Sequence, residues 1–114
     1  LRLREQDIIA IRKRQSIALD RAVQVCAYLC ELGAKEVYIF GSLLDDDFRE
    51  RSDIDLAVAG LPFQHIYRVE SKIEEILQGM PFDLIYLEYA PEYLSRRIKE
   101  KGRRYDCSIL GRAK

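Results

Sequence analysis

Along this chain the apolar positions follow two rhythms, and each change of rhythm marks the edge of an element. From Gln6 to Leu32 the apolar or small residues Ile8, Ile11, Ala18, Ala22, Cys26, Leu29 and Cys30 recur at helical spacing, the pattern of a helix with one buried face. Gly33 stops it, so residues 1–33 are predicted to form one long N-terminal helix. Its first turns carry Arg2, Arg4, Arg12, Lys13 and Arg14 with few apolar neighbours, and the start of the helix is expected to project beyond the core. The rhythm then shortens. Glu36–Phe40 alternates Val37 and Ile39 against Tyr38 and Phe40, and Asp53–Ala59 alternates likewise; both read as strands.

Pro62 is suited to a first helical turn, and Phe63, Ile66, Tyr67, Val69, Ile73, Ile76 and Leu77 give an apolar face to a helix reaching Gln78. Gly79-Met80-Pro81 breaks that helix, Phe82–Glu88 reads as a third strand, and Pro91 opens a last helix that Gly102 closes. Strand two, helix and strand three make a βαβ unit whose right-handed crossover sets the strands parallel. Strand one ends where strand two begins, which makes that pair antiparallel. The expected fold class is therefore α/β (α+β), a three-stranded mixed sheet with helices packed on it. Residues 103–114 are expected to be a short tail or an extra strand.

Composition narrows the class. A chain of 114 residues with 48% hydrophobic and 33% charged residues predicts a single domain, 1–114, of ordinary globular type. No apolar run is long enough to cross a bilayer and no signal peptide is evident, so no membrane role and a cytoplasmic location are expected. The three cysteines form neither a CxxC nor a Cys/His cluster, and are read as reduced core thiols. His65, the sole histidine, lies early in a helix and reads as a surface or packing residue. A net charge of zero argues against nucleic acid as a partner. The charge is uneven, however: acid gathers at Asp45, Asp46, Asp47, Glu50, Asp53 and Asp55, and base at Arg96, Arg97, Lys99, Lys101, Arg103 and Arg104.

The chemistry concentrates where strand one hands over to strand two. Asp53 and Asp55 leave one face of a strand while Ile54, Leu56 and Val58 leave the other. Two carboxylates that close repel unless a hard cation lies between them, and Mg²⁺ takes oxygen ligands from carboxylates and substrate phosphates together. Gly41 allows backbone to approach a ligand, and Ser42 offers a hydroxyl and an amide beside the aspartates. Asp83 stands second in strand three, so parallel pairing brings it to the same edge. Capping of backbone amides is the plainer role for each of these carboxylates.

Gly41-Ser42, ten residues, then Asp53-Ile54-Asp55, followed by a strand with the early Asp83, resembles the signature of the minimal nucleotidyltransferase (MNT) family of the DNA polymerase β-like superfamily. The resemblance runs from about Glu36 to Asp106. It implies a nucleotidyltransferase fold and Mg-dependent transfer of AMP from ATP to a hydroxyl. Asp53, Asp55 and Asp83 would be the catalytic and metal-binding residues for two Mg²⁺ ions, held about 3.5 to 4 Å apart, and Gly41 and Ser42 would bind the nucleotide. Arg49 and Arg51 are candidates for its phosphates, although a solvated loop charge is an equal reading. The chain departs from the family where many members carry a basic residue and a glycine: here it reads Leu43-Leu44-Asp45-Asp46-Asp47, acid that would repel a triphosphate.

Small stand-alone members of this kind resemble the MNT antitoxins of toxin–antitoxin pairs, which implies a HEPN-domain toxin as partner and one of its tyrosines as acceptor. Two alternatives stay open. One is a homodimer that transfers nucleotide to a small-molecule hydroxyl; the other is an antitoxin that binds without catalysis.

Overall fold

The computed structural model describes residues 3–108. Helix α1 spans Glu5–Glu31, β1 Glu36–Phe40, β2 Ile54–Ala59, α2 Ile66–Leu77, β3 Phe82–Tyr86, α3 Glu92–Lys101 and β4 Arg103–Tyr105. The sheet order is β3-β2-β1-β4, with β2 and β3 parallel and β1 antiparallel to both β2 and β4. Among the described residues it is a mixed α+β arrangement with four strands, one more than the expected three-stranded sheet; the fourth falls where a tail or an extra strand was expected, and residues 109–114 of that stretch lie outside the described residues. Three residues, two of them arginines, carry no alternation that a sequence can display, and β4 forms because Gly102 turns the chain back alongside β1.

The two faces of the sheet are covered unequally. Val37, Ile39, Ile54, Leu56, Val58 and Leu84 point to one side, where Ala18, Ala22, Val25, Cys26 and Leu29 of α1 and Val69, Ile73 and Leu77 of α2 bury them. The other side holds a smaller cluster of Tyr38, Ala57, Leu87 and Ile98, with Phe40, Ile85 and Leu94 at its margin. Helix α3 covers that side only in part.

Local signals set the element ends. Asp7 accepts from the Arg4 amide at 3.3 Å at the start of α1. At its end Gly33 adopts a left-handed φ of 103°, and the Ala34 amide returns to the Leu29 carbonyl at 3.1 Å. The helix expected from Pro62 begins instead as a single tight turn over Phe63–His65 that continues into α2. Strand β3 ends at Tyr86, two residues short of expectation, where Leu87–Tyr89 coils into another tight turn. Leu3, Ile8, Ile9 and Ile17 near the start of α1 are exposed, and fully buried residues begin only at Ala18. Twenty-seven helical residues reach about 40 Å, and the first half of α1 lies against the loop that follows β1.

The cysteine reading is corrected. Cys30 at the end of α1 and Cys107 after β4 form a disulfide across 77 residues of sequence, with 5.3 Å between Cα atoms. Cys26 alone is a free, buried thiol, and burial pushes its pKa up to about 12. A one-turn view of α1 shows Cys26 and Cys30 together on its inner side. Cys107 arrives at Cys30 only because β4 docks on β1 beneath α1.

Candidate functional site

The site is assembled by strand register. Asp55 is the second residue of β2, and its direct neighbours are Phe40 on β1 and Asp83 on β3. In a parallel pair, matched residues project to the same face, so Asp55 and Asp83 stand side by side on the face that α3 leaves open. Asp53 lies just before β2 begins at Ile54 rather than inside it, and its side chain is exposed. The Ile54 amide donates to the Pro81 carbonyl at 2.9 Å, which ties the entries of β2 and β3 together and keeps the three carboxylates at one edge.

Their mutual repulsion is visible in Asp55. Its pKa is pushed up from the ordinary 3.8 to about 6, first by burial and then by the charges of Asp83 and Asp53. Among the described residues no lysine, arginine or histidine forms an ion pair with any of the three. Gly41 closes over this group. It holds a φ of 78°, and a Cβ built on it would run into the Asp55 carboxylate, with Cγ only 3.1 Å away. Glycine is therefore required twice here, for its conformation and for its lack of a side chain. Ser42 follows, half-buried, in a tight turn over Gly41–Leu44.

The acidic loop is held by contacts of its own. Asp45 Oδ1 accepts from the Asp47 amide at 2.8 Å, and Asp46 lies fully exposed, 3.6 Å from Arg12. Helix α1 straps the loop down: Gln15 Nε2 donates to the carbonyls of Leu43 at 2.9 Å and Asp45 at 2.8 Å. Arg49 donates to the carbonyls of Asp46 and Phe48, both at 2.9 Å. Arg49 and Arg51 together line a cavity of about 590 Å³ against α1, with Leu3, Asp7, Ala10, Ile11, Arg14 and Glu50. That cavity contains neither Gly41 nor any of Asp53, Asp55 and Asp83.

A second cleft, of about 580 Å³, does reach Gly41. Its walls are Phe40, Gly41, Leu44 and Asp45 on one side and Leu94, Arg97, Ile98 and Lys101 of α3 on the other. Sequence reasoning placed Arg97 and Lys101 in a general basic run. Their four-residue spacing was the available signal, because it sets both on one face of the helix. Gln15 could not have been found, since its partners lie 28 and 30 residues away.

The residues fit a hard divalent cation in type. All three donors are carboxylates, and no cationic side chain among the described residues forms an ion pair with them. They do not form a finished cage: among the described residues no group of three or more His, Cys, Asp or Glu side chains stands close enough to enclose an ion. No described helix is long and apolar enough to cross a membrane.

The family model described as "Polymerase beta, Nucleotidyltransferase" matches residues 24–105, which takes in β1, both parallel strands, α3 and all of the site. The chain belongs to this nucleotidyltransferase family. No match is found among the curated proteins. Among solved structures, a protein assigned to the minimal nucleotidyltransferases superposes with a TM-score of 0.53 at 25% identity, covering 85% of this chain and 94% of its own. A chain of a toxin–antitoxin complex with AMP-PNP gives a TM-score of 0.57 at 22% identity, covering 75% and 69%. A chain from the complex of a tri-AMPylated Shewanella oneidensis HEPN toxin with MNT antitoxin gives 0.51 at 20% identity, covering 79% and 70%. The expected nucleotidyltransferase fold is thus the observed one, and it resembles that found in MNT toxin–antitoxin complexes.

Proposed function

We propose that this protein transfers AMP from ATP to a hydroxyl, and that the acceptor is a tyrosine of a HEPN-domain toxin for which it is the antitoxin. The observation that carries the reading is the placement of a half-buried Asp55 in register beside Asp83, with Asp53 two residues away and no cationic partner for any of them among the described residues. Such a cluster is costly in isolation and suits a site completed by cations and a polyphosphate. The fold it shares with chains of toxin–antitoxin complexes, one holding AMP-PNP and one a tri-AMPylated toxin, supports the choice of donor and acceptor.

In this reading Asp53 and Asp55 hold Mg²⁺, and Asp83 completes the set on the side from which the acceptor hydroxyl approaches. When bound, the ions supply charge to the attacking and leaving oxygens. Gly41 brings backbone against the phosphates and Ser42 offers its hydroxyl to them. Asp83, more exposed than Asp55, is open to take up the acceptor proton. The open edge beside β3 leaves room for a protein-borne tyrosine.

The test is incubation with labelled ATP, Mg²⁺ and the HEPN partner. Wild type should label the partner, with a mass increase of whole AMP groups. Asp53→Asn and Asp83→Asn should remove labelling while the two proteins still co-elute. Binding and neutralisation by wild type with no label transferred would favour occlusion without catalysis.

A further inference from the structure

Four cations lie on α3, and they divide into two kinds. Arg96 pairs with Glu92 at 3.1 Å and Lys99 with Glu36 at 3.8 Å. Arg97 and Lys101 form no ion pair or side-chain hydrogen bond with any described residue, and both face the cleft that ends at Gly41. They are four residues apart and therefore one above the other on the same side of the helix. Opposite them the cleft offers apolar surface from Phe40 and Leu44. Its single acid, Asp45, has a carboxylate oxygen occupied by the Asp47 amide. Two positive side chains without counter-charge thus overlook a concave site one glycine away from Asp55.

We propose that Arg97 and Lys101 bind the polyphosphate chain of the nucleoside triphosphate. This rests on the nucleotidyl-transfer reading for the identity of the ligand, and it reassigns the basic contact from the 43–52 loop to α3. In the loop, Arg49 donates through Nη1 to the carbonyls of Asp46 and Phe48, and both Arg49 and Arg51 line the separate cavity against α1 rather than this cleft. The cleft, at about 580 Å³, falls within the range of small-ligand sites. Gly41 is its shared wall with the carboxylates, so a chain of phosphates lying against Arg97 and Lys101 would present its inner end to Asp55. The guanidinium can take two phosphate oxygens at once and the ammonium acts as a point charge beside it. Both side chains are exposed, and their replacement leaves the core untouched.

The probes are inorganic tripolyphosphate, ATP and AMP, titrated at low salt against wild type, Arg97→Ala/Lys101→Ala and the control Arg96→Ala/Lys99→Ala. Wild type should bind tripolyphosphate and ATP. The first variant should bind both at least tenfold more weakly, with a smaller change for AMP, and the control should stay within about twofold of wild type. The inference is overturned if Arg97→Ala/Lys101→Ala binds tripolyphosphate and ATP as wild type does, if the control loses as much, or if wild type binds neither ligand. Failure of the transferase reading looks different: polyphosphate binding that depends on Arg97 and Lys101, with no AMP delivered to any partner.

Discussion

On one face of β2, Ile54, Leu56 and Val58 disappear under α1 and α2; on the other, Ala57 is buried beneath α3 and Asp55 stands at the uncovered end. The same strand alternates between a face closed by two helices and a face closed by part of one. The first gains stability by removing branched side chains from water, at about 25 cal/mol per Å² of apolar area. The second gives up that gain at the strand entries, where carboxylates replace apolar residues and open space remains between the Gly41 turn and α3. Stability and chemistry are thereby separated by a single residue of register, and a slip of one position would bury the aspartates and expose the leucine.

The sharpest way to test this division is to truncate one side chain on the closed face. Leu56 is fully buried between Ile39 and Leu84, so Leu56→Ala should cost about 2–5 kcal/mol. In a domain of this size that lowers Tm by about 10 °C or more. Labelling per folded molecule, measured well below Tm, should change little, because Leu56 faces away from the carboxylates. A variant that keeps its Tm but loses labelling would break the comparison.

A smaller effect is expected at the far edge of the closed face, where Cys30 and Cys107 fasten the end of α1 to the residue stretch after β4. Closing a loop of 77 residues restricts the unfolded chain, and such a bond typically contributes about 2–4 kcal/mol. Cys30→Ser, or reduction of wild type, should lower Tm correspondingly and leave the Cys30→Ser protein insensitive to further reductant. Amide exchange should rise first in β4, an edge strand of three residues. If exchange rises equally in β2, the bond supports the whole sheet rather than its edge.

How much of this was legible in the sequence follows from the range of each interaction. Asp53, Asp55 and Gly41 were readable because alternation and glycine are local properties, and Asp83 because a βαβ crossover has one favoured hand. The stretch after Gly102 was readable only as a tail or an extra strand, and the disulfide was not readable at all, because both depend on β4 returning to β1 across more than sixty residues. Arg49 is the instructive case. Its position in the loop after Gly41-Ser42 suggested a phosphate ligand, yet the loop carbonyls of Asp46 and Phe48 take its guanidinium. Which acceptors an arginine's Nη1 meets is set by loop backbone that composition cannot locate. Arg97 lies in a helix whose periodicity was plain, but the cleft it lines exists only once α3 is packed beside the Gly41 turn.

The mildest expected effect concerns the open face in the absence of ligand, and it has a definite sign. Asp55 binds its proton more tightly in the folded protein, where its pKa is about 6, than in the unfolded chain, near 3.8. Both states are protonated below about pH 4, so the contribution is most favourable there. It is lost as pH rises through about 6, and above that the ionised group opposes folding. Because the carboxylate is only half-buried, solvent screening limits this penalty to about 1 kcal/mol. Asp55→Asn should therefore raise the Tm of the ligand-free protein by a few degrees at pH 7.5 and leave it nearly unchanged at pH 4, when thermal melts are compared at the two pH values. Asp53→Asn, which removes one neighbouring charge without filling the half-buried position, should give a smaller rise at pH 7.5. If Asp55→Asn is no more stable than wild type at pH 7.5, the carboxylates at this edge are better accommodated than their lack of partners implies, and the contrast between the two faces is one of shape rather than of charge.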